Sequence, residues 1–384
     1  MYTFPEYIIN SYFKKFDKTK KIVYFYVNAY VSVYINVYIK LKDKIKEMVN
    51  LKDVSNKANV SIATVSRYIN NVGFISDELK LRIEKAIKDL NYIPNRVAQS
   101  LSRQSTNTIG IIVPNIANPY FPTMIKGASS YLFEKGYHVH LCNTDNEVEK
   151  EDFFLKDYQS KCVDGAIILL PAYSKNKKRS TEIYNELNYP KIIVGRKFEG
   201  VEADYLLIND EQSSFEATKY LIEKGHKKIV FLGGEKFIVA SQERYSGWKK
   251  AMKSAELRVN NYDFWGNFSA KSGSEMMKKA IRKLEKIDAV FAANDLIAIG
   301  AIKAIRDVGL DVPKDISVMG FDDIYLSKYL YPSLSTVKQP TFEIGAKSAE
   351  LLLNRIKSSS RDFITLKLNC ELIIRDSVLE KNNY

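Results

Sequence analysis

At 384 residues the chain is long enough for two or three domains with buried cores, and 46% hydrophobic with 27% charged residues excludes a disordered or fibrous protein. The formal net charge is +13, with nine basic against four acidic residues over 1–47 and nine against five over 49–104. More than two thirds of the excess therefore lies in the first quarter, which points to an anionic partner (nucleic acid or anionic lipid) or to a lysine-rich coding bias.

Three widely spaced cysteines, Cys142, Cys162 and Cys370, form no paired motif and argue against a disulfide framework; a reducing cytoplasm is expected. His138 and His140 alternate in "YHVHLCN" without companion ligands, so no metal site is expected there. The chain has no phosphate-binding glycine loop, nucleophile elbow or HExxH, and nothing pairs a nucleophile with a base. No cofactor and no catalytic residues are expected; an enzyme is a distant third reading.

In chain order, the first feature is "IVYFYVNAYVSVYINVYI", residues 22–39, uncharged and fenced by lysines. Its length touches the lower limit of a membrane span. Its strict alternation is a strand period, and two asparagines and a serine weaken a spanning helix. Residues 49–93 then read as three short helices. "LKDVSNKAN" puts Leu51, Val54 and Ala58 on roughly one face, Asn59 occupies a turn that wants a left-handed residue, and Ser61 caps "IATVSRYIN". Ser76 is expected to cap the third helix, whose Leu79, Ile83, Ala86, Ile87 and Leu90 form a stripe that ends before "NYIPN".

With Val54, Ala58, Val60 and Val65 inward, the pair is a helix–turn–helix. Ile62, Ala63, Thr64, Ser66, Arg67 and Asn70 lie on or near the outward face of its second helix. Arg67 can read a guanine edge with two bonds, and Thr64 and Ser66 can hold phosphates.

From about residue 108, apolar runs alternate with helical stretches. The runs are "TIGIIVPN", "HVHLCNTD", "VDGAIILLP", "KIIVGR", "ADYLLIND", "KKIVFLGG", "DAVFAAND" and "DISVMGFDD". Gly136, Gly225 and Gly309 are placed to end helices in left-handed caps. Such alternation predicts parallel, doubly wound sheets, and about 270 residues predict two lobes with a cleft between them. Ligands of such sheets bind at strand carboxyl ends, where Asn115, Asn118, Arg196, Asn294, Asp295 and Asp322 stand; each is equally readable as a cap or turn former.

The run "LKDVSNKANVSIATVSRYIN", continuing through "LNYIPNRVAQSL", resembles the lactose-repressor family of bacterial transcription regulators. The resemblance extends through "TIGIIVPNIANPYF", "ERYSGW", "AANDLIAIGAI" and "YPSLSTVKQP", over about residues 49–379. It implies a small all-α DNA-binding headpiece (49–93), a hinge helix and linker (94–107) and a two-lobed α/β core like periplasmic binding proteins (108–379). The N-terminal lobe would span about 108–207 plus 339–367, and the C-terminal lobe 208–338 plus 368–379.

The resemblance also implies roles. Ile62 and Ala63 fall where the family chooses bases, followed by Arg67, with Tyr92 among the DNA-binding positions. Asn95 would cap the hinge helix, Ala98 would pack it against its dimer mate, and Leu101 would wedge into a minor-groove step. Between the lobes, Phe121 and Trp248 would be apolar platforms, and Arg196, Arg244, Asn294 and Asp322 would bond an effector, a sugar being favoured because hydroxyls both donate and accept. Ser55, Asn59 and Gly195 depart from the family pattern, the last bearing on effector identity. Met48 stands where such chains usually begin, so residues 1–48 are expected to be an extension: a mis-assigned upstream start, or disordered.

The leading expectation is a cytoplasmic, homodimeric repressor of a pseudo-palindromic operator on double-stranded DNA, gated by a small effector and free of the membrane. The alternative is a sugar receptor without a DNA role, tethered through residues 22–39.

Overall fold

The computed structural model describes residues 49–70, 72–94, 105–160, 162–170, 177–358 and 362–381. The expected extension and the hinge positions Asn95, Ala98 and Leu101 lie outside them. The chain divides into two compact units, Met1–Arg103 and Gln104–Tyr384. Among the described residues no helix is long and apolar enough to cross a membrane.

The first unit holds α1 (Leu51–Ala58), α2 (Ile62–Asn70) and α3 (Asp77–Asp89). A reciprocal capping box starts α1: Asn50 Oδ1 accepts from the amides of Lys52 and Asp53, while Asp53 Oδ2 accepts from Asn50 N. Asn59 ends it in the left-handed region at φ 51°, ψ 52°, as the turn demanded. The guanidinium of Arg82 donates to the carbonyls of Ala58 and Asn59, so a residue of α3 closes the end of α1. Ser61 Oγ accepts from Thr64 N at 3.1 Å and caps α2. Ser76 occupies the N-cap position of α3, but its side chain makes no capping bond, contrary to expectation; Asp77 and Glu78 in the first turn offset the exposed amides instead. Val54, Ala58, Val65, Ile83, Ala86 and Tyr92 form the core.

The second unit contains two six-stranded sheets. Its elements are β1 (Thr108–Val113), α4 (Tyr120–Glu134), β2 (His138–Asn143), α5 (Val148–Tyr158), β3 (Gly165–Leu169), α6 (Lys177–Glu186), β4 (Lys191–Val194), β5 (Asp204–Ile208), α7 (Asp210–Glu223), β6 (Ile229–Gly233), α8 (Val239–Ser254), β7 (Asp263–Trp265), α9 (Ala270–Lys283), β8 (Ala289–Ala292), α10 (Asp295–Asp307), β9 (Ser317–Asp322), a 3-10 turn (Tyr325–Tyr329), β10 (Ser335–Lys338), α11 (Thr341–Lys357), β11 (Thr365–Leu368) and β12 (Glu371–Ile373). Strand order is β11-β5-β4-β3-β1-β2 in one sheet and β12-β10-β9-β8-β6-β7 in the other. Every pairing is parallel except β10 with β12.

All eight predicted strands are present. Four more, β7, β10, β11 and β12, are three or four residues long and lack a readable apolar run. The chain changes sheets after Ile208, Lys338 and Leu368. Ile208 pairs with Leu368, so two of the changeovers fall one residue later than the expected boundaries at 207 and 367.

Both faces of the sheets are covered, as parallel strands require. On β1, Ile109, Ile111 and Val113 join one apolar cluster while Ile112 joins the opposite one. In the first lobe α4 crosses α11 at touching distance: a Cβ on Gly127 would stand 2.0 Å from the Phe342 carbonyl oxygen, and one on Gly345 would stand 1.9 Å from that of Met124. Glycine at both positions is what lets these helices approach.

Candidate functional site

Two sets of residues matter, one in each unit. In α2 the positions Ile62, Ser66 and Asn70 repeat every four residues, and Ala63 and Arg67 lie beside them, making one continuous face. Ile62, Ala63 and Arg67 are exposed, while Val65 on the opposite side is fully buried. Asn70 Nδ2 reaches Ser66 Oγ at 3.4 Å, so two polar side chains of this face brace each other. Thr64 sits at its margin, with its hydroxyl 2.8 Å from that of Ser61. Tyr92, also expected among the DNA-binding positions, is buried with the headpiece core.

The second set surrounds a cavity of about 300 Å³ between the two lobes. Asn115, Asn118, Phe121 and Arg196 line it from the first lobe, and Arg244, Asn294 and Asp322 from the second. Strand ends supply most of these, as the doubly wound topology demands. Several also shape their own backbone. Asn115 Oδ1 accepts from Ala117 N, Asn118 Oδ1 from Tyr120 N, and Asn294 Oδ1 from Ile297 N as the N-cap of α10. Capping and lining are thus compatible in one residue.

Arg244 and Asp322 form the charged end of the cavity. Both are about nineteen-twentieths buried, with Arg244 Nη1 3.3 Å from Asp322 Oδ1 and Arg244 Nε 2.9 Å from Asp210 Oδ1. Arg244 Nη1 also donates to the Ala293 carbonyl at 2.5 Å, and the guanidinium lies over the Phe321 ring at 3.8 Å. Burial works against the arginine charge, but Asp210 and Asp322 outweigh it and hold its pKa above the usual arginine range. Burial pushes the Asp322 carboxyl up to about 7 against the pull of Arg244. Asp322 also carries φ 109°, a conformation that non-glycine side chains rarely adopt and that clusters at functional sites.

Trp248 is the second correction. It is fully buried inside the second lobe, with its ring 5.7 Å from Phe231 and 5.5 Å from Tyr245. It lies one turn beyond Arg244 on α8, and a rise of about 1.5 Å per residue carries it roughly 6 Å further along the helix axis, away from the cleft. The second-lobe aromatic in the cleft wall is Phe268, which sequence reading missed, as it missed Tyr120, Glu235 and Ile238. Glu235 and Ile238 follow β6 and were within reach of strand-end reasoning, whereas Phe268 follows only the three-residue β7, which has no readable apolar run. Asp295, named as a strand-end candidate, lies outside the lining. Its carboxylate accepts from Ile324 N, Ser327 Oγ and Thr336 Oγ1 and staples the 3-10 turn and β10 to α10. Gly195, noted as a departure, has φ 78°, and a Cβ there would stand 2.2 Å from Leu170 Cδ2. Its backbone position beside Arg196 demands glycine.

Comparison with known proteins brings the two sets under one heading. Residues 50–95 match the model of bacterial regulatory proteins of the lacI family, and residues 218–378 match a periplasmic binding protein-like domain. The HTH-type transcriptional repressor PurR of Vibrio vulnificus (strain CMCP6) is 35% identical over 336 residues, covering 87% of this chain and 100% of the relative. Among solved structures, the lac repressor dimer bound to operator and the anti-inducer ONPF is 27% identical with a TM-score of 0.79, covering 86% of this chain and 99% of that one. A LacI family regulator from Enterococcus faecium with bound ribose is 28% identical with a TM-score of 0.64, covering 72% of this chain and 100% of that one. With a helix–turn–helix headpiece, a periplasmic-binding-protein-like core and no enzymatic role, the chain belongs to the lacI family of bacterial transcriptional regulators.

Proposed function

We propose that this regulator is a cytoplasmic repressor that binds a pseudo-palindromic operator as a homodimer, and that a small sugar held between the two lobes of its core sets operator affinity. The observation that carries the effector reading is the buried Arg244–Asp322 pair at the end of the cavity between the lobes, flanked by Phe121 and Phe268. A carboxylate accepts and a guanidinium donates, which satisfies hydroxyl groups in both roles, while aromatic rings cover the apolar face of a sugar ring. The hydrogen bonds to Asp322 both end on Oδ1, which leaves Oδ2 for a ligand. The ribose in the Enterococcus faecium relative supports the same chemistry.

On the DNA side, Arg67 reads a guanine edge in the major groove and Ile62 and Ala63 contact thymine methyls, with Thr64 and Ser66 at phosphates and Asn70 bracing the face. A two-fold pair of such headpieces places α2 on two half-sites.

The test has two arms, both on the full chain. Selection from a random duplex library should enrich a palindrome whose binding weakens steeply with salt; enrichment of no sequence overturns the repressor reading. Thermal-shift and calorimetric titration with ribose, other pentoses and hexoses, hypoxanthine and sugar phosphates should find a neutral sugar that raises the melting temperature and shifts operator affinity. Binding of hypoxanthine or a phosphorylated compound alone would replace the sugar.

A further inference from the structure

Gln339 does not line the cavity, yet it joins the two lobes behind it. It directly follows β10, at the second changeover of the chain, and is 2% exposed. Its Oε1 accepts the phenol of Tyr120 at 2.9 Å, and its Nε2 donates to Asp322 Oδ1 at 2.7 Å. Tyr120 opens α4 and belongs to the apolar core of the first lobe, while Asp322 ends β9 in the second. In this orientation the amide nitrogen donates to Asp322 and the amide oxygen accepts from Tyr120, which suits a carboxylate acceptor on one side and a phenol donor on the other.

The other two changeovers join the same network. Asp210, at the first, accepts from Arg244 Nε, and Asn209 Nδ2 donates to Asn369 Oδ1 at 3.2 Å. Cys370, at the third, packs against the apolar clusters of both lobes, and burial pushes its thiol up to about 11. The chain Tyr120–Gln339–Asp322–Arg244–Asp210 thus touches the wall of the cleft and segments at which the lobes are joined.

We propose that Gln339 is the positioning residue that registers what occupies the cleft against the angle between the lobes. The inference rests on the effector reading of the cleft and deepens it by naming the coupling element. A planar amide bridges Tyr120 and Asp322 at one separation, so a change in lobe angle must break one of its two bonds. An effector that engages Asp322 through Oδ2, or the Tyr120 hydroxyl, pulls on a group that the same amide holds in place. Occupancy and lobe angle are then linked through differential binding to two arrangements.

The test needs no effector. Ketone-reactive spin labels carried by noncanonical residues at the exposed positions Lys156 on α5 and Lys253 on α8 report the distance between lobes in the full chain and leave the three cysteines untouched. The wild type should give one narrow distance distribution from pH 6 to pH 8. Gln339→Leu and Tyr120→Phe should each broaden it, and the double variant no further than either alone, because both cut one bridge. Gln339→Glu sets a second carboxyl beside Asp322 among Tyr120, Arg244, Asp210, Asp295 and Cys370. Near pH 6 a proton shared between the two carboxyls restores the bridge and the narrow peak; by pH 8 repulsion should give the distribution of the leucine variant. That pH response within one folded protein separates positioning from general damage. Distributions identical to wild type in all variants, additive broadening, or no pH response in Gln339→Glu would overturn the proposal. Absence of sugar binding to the wild type would overturn the effector reading and leave these distances unaffected.

Discussion

The exposed face of α2 and the cleft between the lobes are built by opposite means. Nine consecutive residues, Ile62–Asn70, supply the whole of one face, and its geometry follows from a single helical repeat. The cleft is assembled from positions as far apart in sequence as Asn115 and Asp322, and its charged end is shielded from water. The first surface is local and solvated, so its side chains can change with little effect on stability. The second is long-range and buried, so its side chains carry folding energy and recognition together.

The sharpest way to break that contrast is to remove Arg244. Arg244→Ala leaves Asp210 and Asp322 buried without their shared partner, and should cost about 3–5 kcal/mol of stability in urea titration along with effector binding. A loss below about 1 kcal/mol would mean that the cleft is as tolerant as the DNA face.

Asp295 tests the same idea through pH. Burial lifts its carboxyl from the usual range to about 6, although Ser327, Thr336 and Ile324 all donate to it. A folded-state value above the unfolded one favours the folded state most below about pH 4, and that contribution is lost as pH rises through about 6. The drop amounts to about 3 kcal/mol. Asp322, raised to about 7, adds a decline of the same sign. Unfolding free energies at pH 4, 5 and 6 should therefore fall less steeply in Asp295→Asn than in the wild type.

On the DNA side the predicted effects are smaller in stability but specific in binding. Arg67→Ala should weaken the selected operator by about 1–3 kcal/mol at fixed salt and relax base preference at one position of each half-site, with melting temperature and sugar affinity unchanged. A melting temperature that falls in parallel would show that the face is structural. The smallest expected effect is at the turn. Asn59→Ala places a less tolerant side chain at φ 51° and should cost roughly 1 kcal/mol in the headpiece transition, with Asn59→Gly near neutral.

How much was legible from the residues follows the same division. The span of α2, the left-handed Asn59, the glycine helix ends and eight of the strands obey local periods, and each was readable in place. Ser76 failed as a cap although its position was right, because a hydroxyl at an N-cap position still has to orient toward the amides. Trp248 failed for a related reason. Its sequence neighbour Arg244 does reach the cleft, but one further helical turn carries the indole into the Phe231–Tyr245 cluster. Tyr92 was read only as a DNA-binding position, and its place in the three-helix core carried no local signal.

By itself, the sequence determined the helices of the headpiece and the parallel doubly wound core, because each rests on hydrogen-bonding and apolar patterns closed within a few residues. Only the tertiary structure decided that Phe268 rather than Trp248 walls the cleft, that Asp295 is a staple, and that Gln339 stands between Tyr120 and Asp322. Those choices depend on which strand ends meet across the two lobes, and no local period encodes that meeting.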